Sequence, residues 1–110
     1  MLLRRGAADK VIAEVLQESG AASVHFARDY APWSEGLERR VKAACETAGA
    51  ACHRYGGFLL HEPMEVQTGQ GSYYKVYTPF WNAVRGRDVP SPDAAPEVLA
   101  APDHWPASEA

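Results

Sequence analysis

The sequence predicts an α/β domain built on a parallel sheet with flanking helices. Two amphipathic stretches, residues 8–19 and 34–48, carry helical spacing. Short β-leaning segments stand before, between and after them, at residues 1–5, 22–27 and 51–55. A strand–helix–strand–helix–strand order reads as a parallel sheet with right-handed crossovers.

Met1-Leu2-Leu3-Arg4-Arg5 is a short extended candidate that ends at Gly6. In the first helix Val11, Ile12, Val15 and Leu16 line one face, and Gly20 stops it. Val24 and Phe26 make residues 22–27 a buried strand. Pro32 pushes Ala31 out of helical geometry, so the second helix starts after it. Ser34 is its expected N-cap, and Glu35 suits the positive end of the helix dipole. Leu37, Val41, Ala44, Cys45 and Ala48 form its apolar face, and Gly49 ends it. Ala51 to Tyr55 is the third strand, closed by Gly56-Gly57.

Beyond Gly57 the alternation stops. Met64–Val66 and Tyr73–Tyr77 flank Thr68-Gly69-Gln70-Gly71-Ser72, which predicts a short hairpin or an irregular loop. Pro79 suits the first turn of a helix running through Phe80, Trp81 and Val84 to Gly86. Five of the eight prolines follow residue 86, at Pro90, Pro92, Pro96, Pro102 and Pro106. The expected organisation is therefore a domain over 1–86 and a Pro/Ala-rich linker over 87–110.

Composition narrows the function classes. The formal net charge of -3 argues against a nucleic-acid surface, because such surfaces need Lys and Arg to neutralise phosphates. No apolar run approaches the ~18 residues of a membrane span. The N-terminus lacks a signal-peptide pattern, so a cytosolic protein is expected. Cys45 and Cys52 sit in apolar patterns and read as reduced, buried thiols. His25, His53, His61 and His104 lack metal-ligand spacing, and no metal site is expected. Gly69-x-Gly71 is no dinucleotide fingerprint, since it lacks a third glycine and a helix directly after it. No set of residues argues for catalysis by this chain. Asp29 stands apart: it lies just past a strand end, where parallel sheets bind ligands. Tyr30 and Trp33 are candidate aromatic walls, or packing for the helix.

The run LLHEPMEVQTGQGSYYKVYTPFW, Leu59 to Trp81, resembles the closing segment of the N-terminal α/β domain of DNA photolyases and cryptochromes. Leu2-Leu3-Arg4-Arg5-Gly6 is similar to a family strand ending in glycine. Ala27-Arg28-Asp29-Tyr30-Ala31-Pro32-Trp33 resembles the family's Asn-x-Asp-Tyr-Glu-Pro-Tyr element, with Ala27 and Ala31 standing where the family carries Asn and Glu.

The resemblance implies a Rossmann-like domain that covers an antenna chromophore (a deazaflavin, folate or flavin) passing excitation energy to a catalytic FAD. In the whole family protein, excited reduced FAD repairs pyrimidine dimers as a photo-lyase. It implies Asp29 as an antenna contact. The partner it implies is the FAD-binding helical domain, with self-association as the alternative. Two family strands and that helical domain are absent from the 110 residues. This chain alone is therefore expected to hold no FAD, and Trp33, Trp81 and Trp105 do not match the family's electron-relay tryptophans. In the resembled fold the missing strands lie between 1–5 and 22–27. Those two segments are expected either to pair directly or to leave edges that associate. A stand-alone α/β binding module and a truncated product without function are the other readings.

Overall fold

The computed structural model describes residues 1–109. Its elements, in chain order, are α1 (Ala8–Ser19), β1 (Ser23–Ala27), α2 (Ser34–Thr47), β2 (Ala51–Tyr55) and α3 (Tyr77–Val84). β1 and β2 form a parallel pair with Val24 opposite Cys52 and His25 opposite His53. The α/β class and the four central elements match the sequence pattern to within a residue. The chain divides into two compact units: Met1–Tyr55 with the segment from Leu99 onward, and Gly56–Val98.

In the first unit the core is small. Leu16, Val41, Cys45 and Ala50 are buried, and Ile12, Val24, Phe26, Leu37 and Cys52 pack against them. Val24, Phe26 and Cys52 alternate along their strands, so they share the sheet face that meets α1 and α2. α1 closes on Gly20, whose φ of 65° places it in the left-handed region and whose N–H donates to the Leu16 carbonyl at 2.9 Å. Gly49 takes the same region, φ 73°, to turn the chain from α2 into β2.

Two local expectations are corrected. Met1–Arg5 forms no strand, and the sheet of the described residues has two strands, not three. This segment does not pair with β1. Instead the Glu109 N–H donates to the Leu3 carbonyl (2.9 Å) and Arg4 Nε to the Ala107 carbonyl (2.8 Å). Arg4 also bridges to Glu18 at 2.5 Å. With no neighbouring strand to take the Leu2–Arg5 backbone groups, they turn to the chain end and to side chains. The second correction concerns Ser34. The N-cap is Trp33, and Ser34 is the first helical residue, its N–H donating to the Ala31 carbonyl at 3.0 Å.

The second unit is mostly irregular. Residues 64–76 form a loop, with the Thr68 N–H donating to the Ser72 carbonyl (2.7 Å) and the Gly71 N–H to the Thr68 carbonyl (2.8 Å). The irregular-loop alternative holds, and no hairpin forms. α3 starts two residues before Pro79, so that proline sits in the first turn, where its missing N–H has no helical partner to lose. Val66 and Val84 are this unit's buried side chains. From Arg85 the described chain has no further helix or strand.

Candidate functional site at the end of the first strand

Asp29 sits two residues beyond β1, in the connection to α2. Its Oδ1 accepts from the Ala31 N–H at 3.3 Å, a local turn typical of aspartate, and its Oδ2 accepts from the Ser34 hydroxyl. Chiefly the Ser34 hydroxyl, then the Ala31 and Tyr30 N–H groups, hold its carboxyl below the usual carboxylate range. All of these favour the ionised form. Ser34 is nearly fully buried, so the Ser34–Asp29 contact fixes the carboxylate from a rigid helix start.

A second carboxylate braces the same loop. Glu38, one turn along α2 from Ser34, accepts the Asp29 N–H at 3.3 Å on Oε1. Its Oε2 accepts from Arg54 Nη1 of β2 at 2.6 Å, and its side chain is only 13% exposed. The chain Asp29–Glu38–Arg54 thus ties the β1–α2 connection to the second strand. Beside it lies a cavity of about 280 Å3. Ile12, Val24, Phe26, Leu37 and Val41 give it apolar walls, and Asp29, Ser34 and Glu38 give it a polar side. That is the make-up of a small-molecule site, near the lower end of the ~300–1,000 Å3 range. A larger hollow of about 640 Å3 between α1 and α2 is lined largely by Ala13, Ala44, Ala48 and Gly20. Asp9, Lys10, Gln17 and Thr47 stand around it, but it lies away from the strand end that carries Asp29.

Tyr30 and Trp33 do not line the Asp29 cavity, and Trp33 is 75% exposed. Glu38 and Arg54 were not singled out from sequence. The available signals were the Ser34–Glu38 spacing of one helical turn and an arginine on the helix-facing side of a strand. The histidines also sort out. His25 and His53 stack across the strands at 4.7 Å, and His25 bonds to the Tyr55 and Ser23 hydroxyl groups, each at 2.9 Å. Cys45 and Cys52 are free thiols. Among the described residues no three His, Cys, Asp or Glu side chains come together as a metal cluster. No helix there is long and apolar enough to cross a membrane.

The first unit is a parallel α/β unit with a mostly apolar cavity beside the carboxyl end of a strand, the end at which parallel sheets carry their ligand sites. Its relatives define the family. The sequence model of the DNA photolyase family matches residues 1–98, and the chain belongs to that family. It is 37% identical over 110 residues to a deoxyribodipyrimidine photo-lyase of Agrobacterium fabrum, covering 99% of this chain and 23% of that protein. It is 42% identical over 81 residues to an uncharacterised 31.6 kDa protein of a Synechococcus species, covering 74% of this chain and 28% of the relative. Its structure is similar to the crystal structure of a bacterial class III photolyase from Agrobacterium tumefaciens. There the TM-score is 0.87 at 37% identity, over 98% of this chain and 23% of that one. The chain thus spans about a quarter of the length of these relatives.

Proposed function

We propose that this chain is the antenna-type α/β part of a light-driven photolyase or cryptochrome flavoprotein, with repair chemistry carried by a FAD-binding part outside it. The observation that carries the reading is the likeness to the class III photolyase along almost the whole chain. The net charge of -3 suits a domain that does not itself grip DNA phosphates.

The residues at Asp29 fit the ring end of an antenna chromophore and not FAD. The apolar walls take a flat ring and exclude water. Asp29 accepts a hydrogen bond from a ring N–H, and the short cavity leaves a polar tail in solvent. When bound, the chromophore absorbs light and passes the excitation on. A FAD pyrophosphate needs backbone N–H groups of a Gly-rich turn at a helix N-terminus. The β1–α2 connection has no glycine, and Asp29 and Glu38 face that space with negative charge. No step through FAD is therefore assigned to these residues.

The test is titration of the purified chain with a deazaflavin, a folate and a flavin, followed by fluorescence. Saturable binding is expected, and Asp29→Ala should weaken it, since the substitution removes the carboxylate that accepts the ring N–H. Asp29→Asn keeps one oxygen for the Ala31 N–H, and its amide can donate to the Ser34 hydroxyl, so it removes the charge while retaining a hydrogen-bonded turn. Unchanged affinity in both variants would leave Asp29 as a turn residue. Stoichiometric FAD surviving gel filtration of the chain would overturn the placement of FAD elsewhere.

A further inference from the structure

The second unit carries a surface that the Asp29 site does not use. α3 and the segment around Phe58–Leu60 enclose a groove of about 530 Å3. Its walls are apolar and open to solvent: Phe58 is 74% exposed, Leu60 75%, Tyr77 70% and Trp81 47%. Tyr77 and Trp81, one turn apart on α3, stack with centroids 6.4 Å apart and planes within 8°. Val84 lies buried at the base, and Arg85 and Arg87 stand among the lining residues. Single exposed apolar residues are ordinary, but a concave, aromatic-rich patch with arginines at its edge has the make-up of a binding hot spot.

We propose that this groove docks the remainder of a photolyase-type protein, through an apolar segment flanked by carboxylates. The inference rests on the photolyase reading and adds the surface that serves it. The family match runs through residue 98, so the groove belongs to the family domain. The matched relatives are about four times as long as the segment they share with this chain, so most of such a protein lies outside it. A second copy of this chain fits the groove poorly. Isologous packing would face two hollows and bring Arg85 and Arg87 of both copies together. An acidic-rimmed partner meets the same arginines with opposite charge.

The experiment co-expresses the 110-residue chain with the Agrobacterium tumefaciens class III photolyase from which the matched segment has been deleted. A 1:1 complex is expected. Phe58→Ser and Tyr77→Ser should each weaken it at least tenfold, whereas Tyr73→Ser, 71% exposed but outside the groove, should leave it unchanged. Far-UV circular dichroism checks that all three variants keep the wild-type fold. In parallel, the chain replaces the matched segment within the full-length photolyase. There the groove variants should melt several degrees below the Tyr73→Ser control. Equal melting of all three chimeras, or a complex indifferent to Phe58 and Tyr77, would overturn the proposal. A dimer of the chain alone that Phe58→Ser dissociates would assign the groove to a second copy and overturn it too. Asp29→Ala should leave docking unchanged. A chain that docks but binds no chromophore sinks only the antenna reading, and the reverse result sinks only this one.

Discussion

Leu16→Ala tests whether four buried side chains hold the first unit together. Leu16 is 6% exposed and packs against Val41, Cys45 and Ala50. The truncation removes three carbons, worth about 2.4 kcal/mol at ~0.8 kcal/mol per buried CH₂. A cavity penalty normally adds to this, giving about 2–5 kcal/mol for Leu→Ala. Here Leu16 also borders the hollow between α1 and α2, which opens to solvent. Water can enter the space left behind, so the lower half of the range, about 2.5–3 kcal/mol, is expected. A unit of roughly 70 residues has about 3–10 kcal/mol of stability in all. One substitution therefore removes between a quarter and all of it. Urea unfolding followed by far-UV circular dichroism should show the midpoint falling by about 1–3 M at the m-values of small proteins. Leu99→Ala, at a site 83% exposed, should stay within about 0.5 kcal/mol of wild type. A loss below about 1 kcal/mol for Leu16→Ala would refute the assignment of stability to this cluster.

Two pH responses follow from the ionisable groups. The Asp29 carboxyl is held low in the fold by the Ser34 hydroxyl and then by backbone N–H groups. Its contribution is therefore present above the unfolded value of about 3.9 and is lost as pH falls through the lower folded value. Acid unfolding of wild type should be steeper than that of Asp29→Asn, and superimposable curves would show that the contact adds nothing. Burial, and then the neighbouring Cys52, push the Cys45 thiol up. Its contribution is present below the unfolded value of about 8.5 and is lost as pH rises through the higher folded value. Stability should decline from about pH 8.5, the unfolded value, up to the folded value, with a shallower decline in Cys45→Ala. Iodoacetamide at pH 8, read by peptide mass, should label Cys52 well before Cys45. Equal labelling rates in the folded chain would contradict the burial of Cys45.

The parts of the fold that could be read from sequence are those with local causes. Apolar spacing placed α1 and α2, and glycine at the helix ends placed their stops. Met1–Arg5 was misread because a strand exists only where another strand takes its hydrogen bonds, and neighbours are not written in a five-residue pattern. Ser34 was misread as a cap for a related reason. The chain turns one residue early, with the Ser34 N–H donating to the Ala31 carbonyl, so Trp33 takes the cap position and Ser34 falls inside the helix. Asp29 itself was legible from its place past a strand end. Glu38 and Arg54 were not, because their pairing depends on the parallel register that sets β2 beside β1.

The sheet gives a separate reason to look beyond these residues. Parallel sheets are normally covered on both faces. Here α1 and α2 both serve the face of Val24, Phe26 and Cys52. The opposite face presents Ser23, His25, Ala27, Ala51, His53 and Tyr55, all exposed. Its polar atoms are partly satisfied in place, since His25 bonds to Ser23 and Tyr55 and stacks on His53. Those contacts make the face tolerable in water without covering the rings. Among the described residues β1 and β2 each pair with a strand on one side only, so both outer edges of the sheet lack a strand partner. The open edges, the bare ring face and the groove of the second unit are independent features. Each is costly for a small domain to leave exposed and favourable for a longer chain to bury. Under the docking proposal the burial of such surfaces falls to the remainder of a photolyase-type protein, whose matched members are about four times as long as the shared segment.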